Sequence, residues 1–93
     1  MREKTIETKL VKAVKEKGGI APKFVSPGLD GVPDRLVLLP GGKIAFIELK
    51  ATGKKLRPLQ VRRKSQLEKL GFSVYCIDRA DQIGGILDAI QTP

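Results

Sequence analysis

The chain has 93 residues, with 18 Lys and Arg against 10 Asp and Glu, a formal net charge of +8 and no His. So short a chain cannot fill a second hydrophobic core, so one domain over residues 1–93 is expected. A single Cys and no His exclude an intrachain disulfide and a Cys/His zinc centre, and no apolar run reaches the roughly 20 residues that cross a bilayer.

The opening Met1-Arg2-Glu3-Lys4 does not read as a signal peptide, so an intracellular (cytoplasmic) protein is expected, bacterial or phage-encoded. The positive excess suits a polyanion, because each neutralised phosphate releases condensed counterions. Residues Glu3 to Lys17 are predicted helical. Ile6, Leu10, Ala13 and Val14 share one face, Lys4, Lys12, Lys15 and Glu16 the other, and Gly18-Gly19 stops the helix. Glu7 borders the apolar stripe.

Ala21 to Val25 is predicted as a short strand, ended by the turn-rich Ser26-Pro27-Gly28-Leu29-Asp30-Gly31. Arg35 to Leu39 and Lys43 to Ala51 form a hairpin across Pro40-Gly41-Gly42, with Ile44-Ala45-Phe46-Ile47 apolar enough for burial on both faces. Thr52-Gly53-Lys54-Lys55 is a basic loop. Pro58 opens a second helix through Leu59, Val61, Leu67 and Leu70 to Gly71. Phe72 to Ile77 is a further strand, its Phe72 and Tyr75 expected in the core and its Cys76 a small buried hydrophobe. A last helix runs from Asp81 through Ile83, Ile86, Leu87 and Ile90. The first and last helices both carry apolar residues beyond what one core face needs, which leaves either available to a partner.

A strand–helix–strand crossover of this length favours a parallel pair between Lys43–Ala51 and Phe72–Ile77. The expected fold is α/β, a small mixed sheet flanked by helices in the order α-β-β-β-α-β-α.

The chemistry concentrates in Gly31-Val32-Pro33-Asp34-Arg35 and Ile47-Glu48-Leu49-Lys50. Hairpin pairing sets Asp34 beside Glu48 at the end opposite the turn, and strand alternation puts Glu48 and Lys50 on one face. Two carboxylates about 4 Å apart repel by roughly 4 kcal/mol at an effective dielectric near 20. Such a pair shares a proton or binds a cation. An all-oxygen site implies a hard ion, Mg²⁺ or Mn²⁺, which takes one or two carboxylates and uses substrate phosphate as a further ligand. With no His to act as base, these residues point to metal-assisted phosphodiester hydrolysis, Lys50 orienting or deprotonating water and offsetting developing negative charge.

Val-Pro-Asp-Arg, Ile-Glu-Leu-Lys-Ala and the helix-opening Leu56-Arg57-Pro58-Leu59-Gln60 together resemble the PD-(D/E)XK nuclease superfamily. Within it, nearly the whole chain resembles a small stand-alone member of the virus-type replication-repair nuclease (VRR-NUC) family. The resemblance implies a restriction-endonuclease-like core, metal ligation by Asp34, Glu48 and the backbone carbonyl of Leu49, and Lys50 as the catalytic lysine. It implies a metal-side role for a first-helix acid, matched by Glu7, and a helix glutamine near the site, matched by Gln60. It also implies homodimers cutting branched DNA such as four-way (Holliday) junctions. Lys54, Lys55, Arg57, Arg62 and Arg63 follow the Glu-x-Lys strand and are expected to contact phosphates. Two other functions fit the same fold: a non-catalytic DNA-binding or interaction module, and a flap or nicking nuclease acting as a monomer.

Overall fold

Ile6, Leu10 and Val14 recur every fourth residue, which puts them on one helical face, and all three are fully buried. The helix they define, α1, spans Glu3–Glu16 in a computed structural model that describes residues 1–92. It ends where Gly18 takes φ of 83° and the Gly19 amide donates to the Val14 carbonyl at 3.0 Å.

Alternation then builds the sheet. Val37 and Leu39 of β1 (Arg35–Leu39) and Ala45, Ile47 and Leu49 of β2 (Lys43–Leu49) turn to one face, where α1 packs. The strands pair antiparallel, Arg35 opposite Ile47 and Leu39 opposite Lys43, as the hairpin signal required. The chain next crosses over through α2 (Pro58–Lys69) to β3 (Val74–Ile77), which runs parallel to β2 with Glu48 opposite Cys76. A short 3-10 turn, Ala80–Gln82, leads into α3 (Ile83–Gln91), whose Ile83, Leu87 and Ile90 join α1 over the same inner face. The result is a three-stranded mixed sheet, order β1-β2-β3, flanked by helices. That is the expected α/β architecture. Among the described residues, no helix is long and apolar enough to cross a membrane.

Three expectations change. Ala21–Val25 forms no regular strand; it runs beside β1 through isolated bridges, Ile20 with Leu38 and Lys23 with Arg35. Pro22 accepts from the Leu36 amide at 3.0 Å but has no N–H to return, so the ladder breaks there. Ile44 is 41% exposed, although Ala45, Phe46 and Ile47 are buried. Its side chain lies on the outer sheet face, away from the core that α1 and α3 close. Phe72 stays 42% exposed, because its amide closes the end of α2 on the Leu67 carbonyl and the strand begins only at Val74. Tyr75 does pack against the core.

Nor are the apolar residues of the first and last helices spare. They fill the inner core, with Val11, Ala13 and Ile86 partly buried at its margin. Uncovered apolar side chains lie instead on α2 and the outer face, with Leu59, Val61 and Leu70 of α2 and its cap, Ile44 and Phe72, and also on the segment before β1, with Ile20, Val25 and Leu29.

Candidate active site

Asp34 precedes β1 by one residue, which sets it across from Glu48 on the outer face of the sheet. Opposed residues of antiparallel strands hold their Cβ atoms about 4.5–5.5 Å apart. The Asp34 amide donates to the Ile47 carbonyl at 3.0 Å, and the Asp34 carboxylate accepts the Leu49 amide at 2.7 Å. That pair of bonds aims Asp34 at β2 before any ligand arrives. Leu49 itself turns its side chain into the inner core, leaving its carbonyl at the last residue of the strand.

Glu48 is 3% exposed, and its pKa is pushed up to about 8. Burial is the main cause, followed by the hydrogen bond with Asp34 and its negative charge; Lys50 pulls the other way and Glu3 adds a small upward push. At neutral pH the carboxyl pair therefore holds a proton. A divalent cation does the same neutralising work with more charge, so these donors fit a hard ion. No group of three acidic, Cys or His side chains converges among the described residues, which leaves two carboxylates, the number Mg²⁺ commonly takes when water and phosphate complete its shell.

Lys50, two residues beyond Glu48 and on the same face, is 8% exposed. Among the described residues it enters no ion pair, so its ammonium is held beside the carboxyls without being locked to either. Gln60 reaches the site from α2: its Nε2 donates to Glu48 Oε1 at 3.3 Å while its Oε1 accepts the Arg57 amide at 2.8 Å. One side chain thus caps the helix and fixes the carboxyl. Cys76 lies next to Glu48 on β3, half-buried; burial pushes its thiol up, as do the charges of Asp78 and Glu48, so it is no ready nucleophile.

The structure brings Asp34, Glu48, Lys50 and Gln60 together. It does not bring Glu7 to them. Glu7 Oε2 accepts Arg35 Nε at 2.9 Å, and Arg35 Nη1 donates to the Ala21 carbonyl at 2.7 Å, on the face of β1 opposite Asp34. The acid of α1 whose charge reaches Glu48 is Glu3, one turn earlier. The reason is a tie between the first residue and the loop after β2: Thr52 donates its amide to the Met1 carbonyl at 3.2 Å, and the Met1 amine donates to Thr52 Oγ1 at 3.3 Å. That anchors the start of α1 beside the end of β2. Periodicity could mark Glu7 as a border residue but carried no sign of this docking.

Lys54, Lys55 and Arg57 are exposed on the loop that leaves β2 at the site. Arg62 is exposed on α2 and lines a cleft of about 380 Å³ with Ser65, Gln66 and Lys69. The Arg63 guanidinium is engaged within the protein, donating to the Asp30 carbonyl at 2.8 Å and to Gln66 Oε1 at 2.6 Å. Arg63 thereby ties α2 to the loop before Asp34.

A phage protein named "Putative nuclease p44", from Acyrthosiphon pisum secondary endosymbiont phage 1, is 52% identical over 90 residues, spanning 97% of this chain and 96% of that protein. A solved structure described as a VRR_NUC domain superposes with a TM-score of 0.86 at 29% identity, covering 92% of this chain and 94% of that one. No family model matches the chain. The shared architecture is the small restriction-endonuclease-like α/β core.

Proposed function

Because the chain belongs to the VRR-NUC family of nucleases, we propose that it is a metal-dependent, structure-specific endodeoxyribonuclease acting on branched DNA as a homodimer. Asp34 and Glu48, with the Leu49 carbonyl, are the residues to hold Mg²⁺ or Mn²⁺; the ion supplies Lewis-acid polarisation of a phosphate oxygen and acidifies water. Glu48 releases its proton when it takes up that role. Asp34, pre-aimed by the Leu49 amide, needs no rearrangement. Lys50 orients the attacking water and stabilises negative charge as it builds on phosphorus. Gln60 keeps Glu48 in register from α2, and Lys54, Lys55, Arg57 and Arg62 take phosphates beside the cut. Arg63 serves mainly as the α2 tether.

The observation that carries this reading is the pairing of half-buried Asp34 with buried Glu48, with buried Lys50 on the same face. Support for the dimer is geometric: two opposed cuts across a four-way junction need two sites, and each chain offers one. The exposed apolar Ile44 and Phe72, on the sheet face that carries the site, suit a twofold contact. The 93 residues act as one domain on DNA inside a bacterial or phage-infected cell. Incubation of a labelled four-way junction, a flap and a linear duplex with Mg²⁺, Mn²⁺ or EDTA tests the reading. Cutting that prefers the junction and needs metal supports it; undiminished cutting in EDTA, or binding without cutting in either metal, refutes it.

A further inference from the structure

On the opposite side of β1 from the active site, α1 and the segment before β1 enclose a groove of about 410 Å³. Lys4, Lys12 and Lys15 line it from one face of α1, and Lys23 closes it from the β1 edge. Arg35 and Glu7 sit at its floor and neutralise each other at 2.9 Å. None of the four lysines enters an ion pair among the described residues; the lysines that do are Lys17 and Lys64. An ordinary solvated helix face intersperses both signs, and its Lys–Glu neighbours offset one another. Here the one acid lining the groove is already engaged by Arg35, and Glu16 on the same face of α1 lies outside the lining, so four like charges face a shared concavity.

From Lys4 to Lys15 the helix rises about 16 Å, at about 1.5 Å per residue. That matches roughly five base-pair steps of duplex, which rise about 3.4 Å each along a strand. The groove also starts at the catalytic end of the molecule, since Lys4 adjoins Glu3, whose charge is felt at Glu48. Arg57 and Arg62, by contrast, belong to α2 and its approach, on the outer face.

We propose that the Lys4–Lys12–Lys15–Lys23 groove is a second DNA-backbone site, which takes a duplex arm distinct from the one that α2 and its preceding loop hold. This rests on the nuclease reading and narrows its substrate. Basic surfaces on two faces of one thin sheet match two arms that diverge at a branch, and a straight duplex cannot lie along both. The contact is electrostatic, through phosphates, with no reading of base sequence.

The test is anisotropy of a labelled four-way junction and of an equally long linear duplex, titrated in EDTA so that cleavage does not intervene, across a range of NaCl. Lys12→Ala/Lys15→Ala/Lys23→Ala is compared with the wild type and with a Lys9→Ala/Lys43→Ala control. Loss of three phosphate contacts lowers the slope of log K against log[NaCl] by about 2.7 for the junction, with affinity falling at least roughly tenfold. The linear duplex loses less, and the control little for either DNA. Thermal melts of the exposed triple variant should match the wild type. A junction slope and affinity unchanged in the triple variant, or losses as large in the control, overturn the second site while leaving the nuclease reading intact. A wild type that binds neither DNA overturns both.

Discussion

Glu48 shows how far burial can move one carboxyl toward its protonated form. Its folded pKa of about 8 stands well above the ordinary 4.5, chiefly because β2 and its neighbours remove it from water. Between those two values the folded protein keeps a proton that the unfolded chain gives up. Stability of the metal-free protein should therefore fall as pH rises across that window, and level off above it. Thermal melts from about pH 5 to about pH 8 check this directly. Glu48→Gln should flatten the decline and melt higher than wild type at the alkaline end, whereas a parallel pH dependence in the variant would place the linked proton elsewhere. Lys50 sits in the same row with no ion pair to hold it. Replacing it by Ala should cut turnover of branched DNA by at least about 100-fold, with little change in junction affinity measured in EDTA.

Among the α-helices, α2 is the one that fully buries no side chain. It docks through Arg63 to the Asp30 carbonyl, Gln60 to Glu48, and Leu59 against Gly31. Gly31 has φ of 77°, and a Cβ there would stand 2.7 Å from Leu59 Cγ. Gly31→Ala should destabilise the fold by at least about 1 kcal/mol and, by shifting α2, loosen Gln60 from Glu48. Denaturant unfolding with a parallel cleavage assay measures both, and unchanged stability would mean that α2 yields freely. The helix itself was legible in sequence, from Pro58 through Gln60 to the Gly71 stop, because its signals are local. So was the hairpin that sets Asp34 against Glu48. What escaped was docking. Spacing identifies residues that share a face of α1, yet the slide of α1 along the sheet decides whether Glu3 or Glu7 meets the site. Continuous apolar runs hide direction as well, so Ile44 looked as buried as Ile47. Pro22 is a local sign of the break, a missing donor in an otherwise plausible strand.

For the whole molecule, the sheet separates two tasks. Its inner face is closed by α1 and α3 and supplies stability; its outer face carries the carboxyls, the lysine and an apolar margin that this chain alone does not cover. Sedimentation of the purified protein should give a dimer. Ile44→Lys should shift it to monomer, and paired cuts across a junction should then become uncoupled single nicks. A wild type that sediments as monomer while still making paired cuts would remove the apolar margin from the account. The claim on which the catalytic reading depends is narrower, that Asp34 and Glu48 jointly hold the ion that activates hydrolysis. Single-turnover cleavage of a four-way junction by wild type and Glu48→Ala in Mg²⁺, each shown in EDTA to bind that junction equally, addresses it most directly. The wild type should cut and the variant should not; a variant that cuts at the wild-type rate would contradict it.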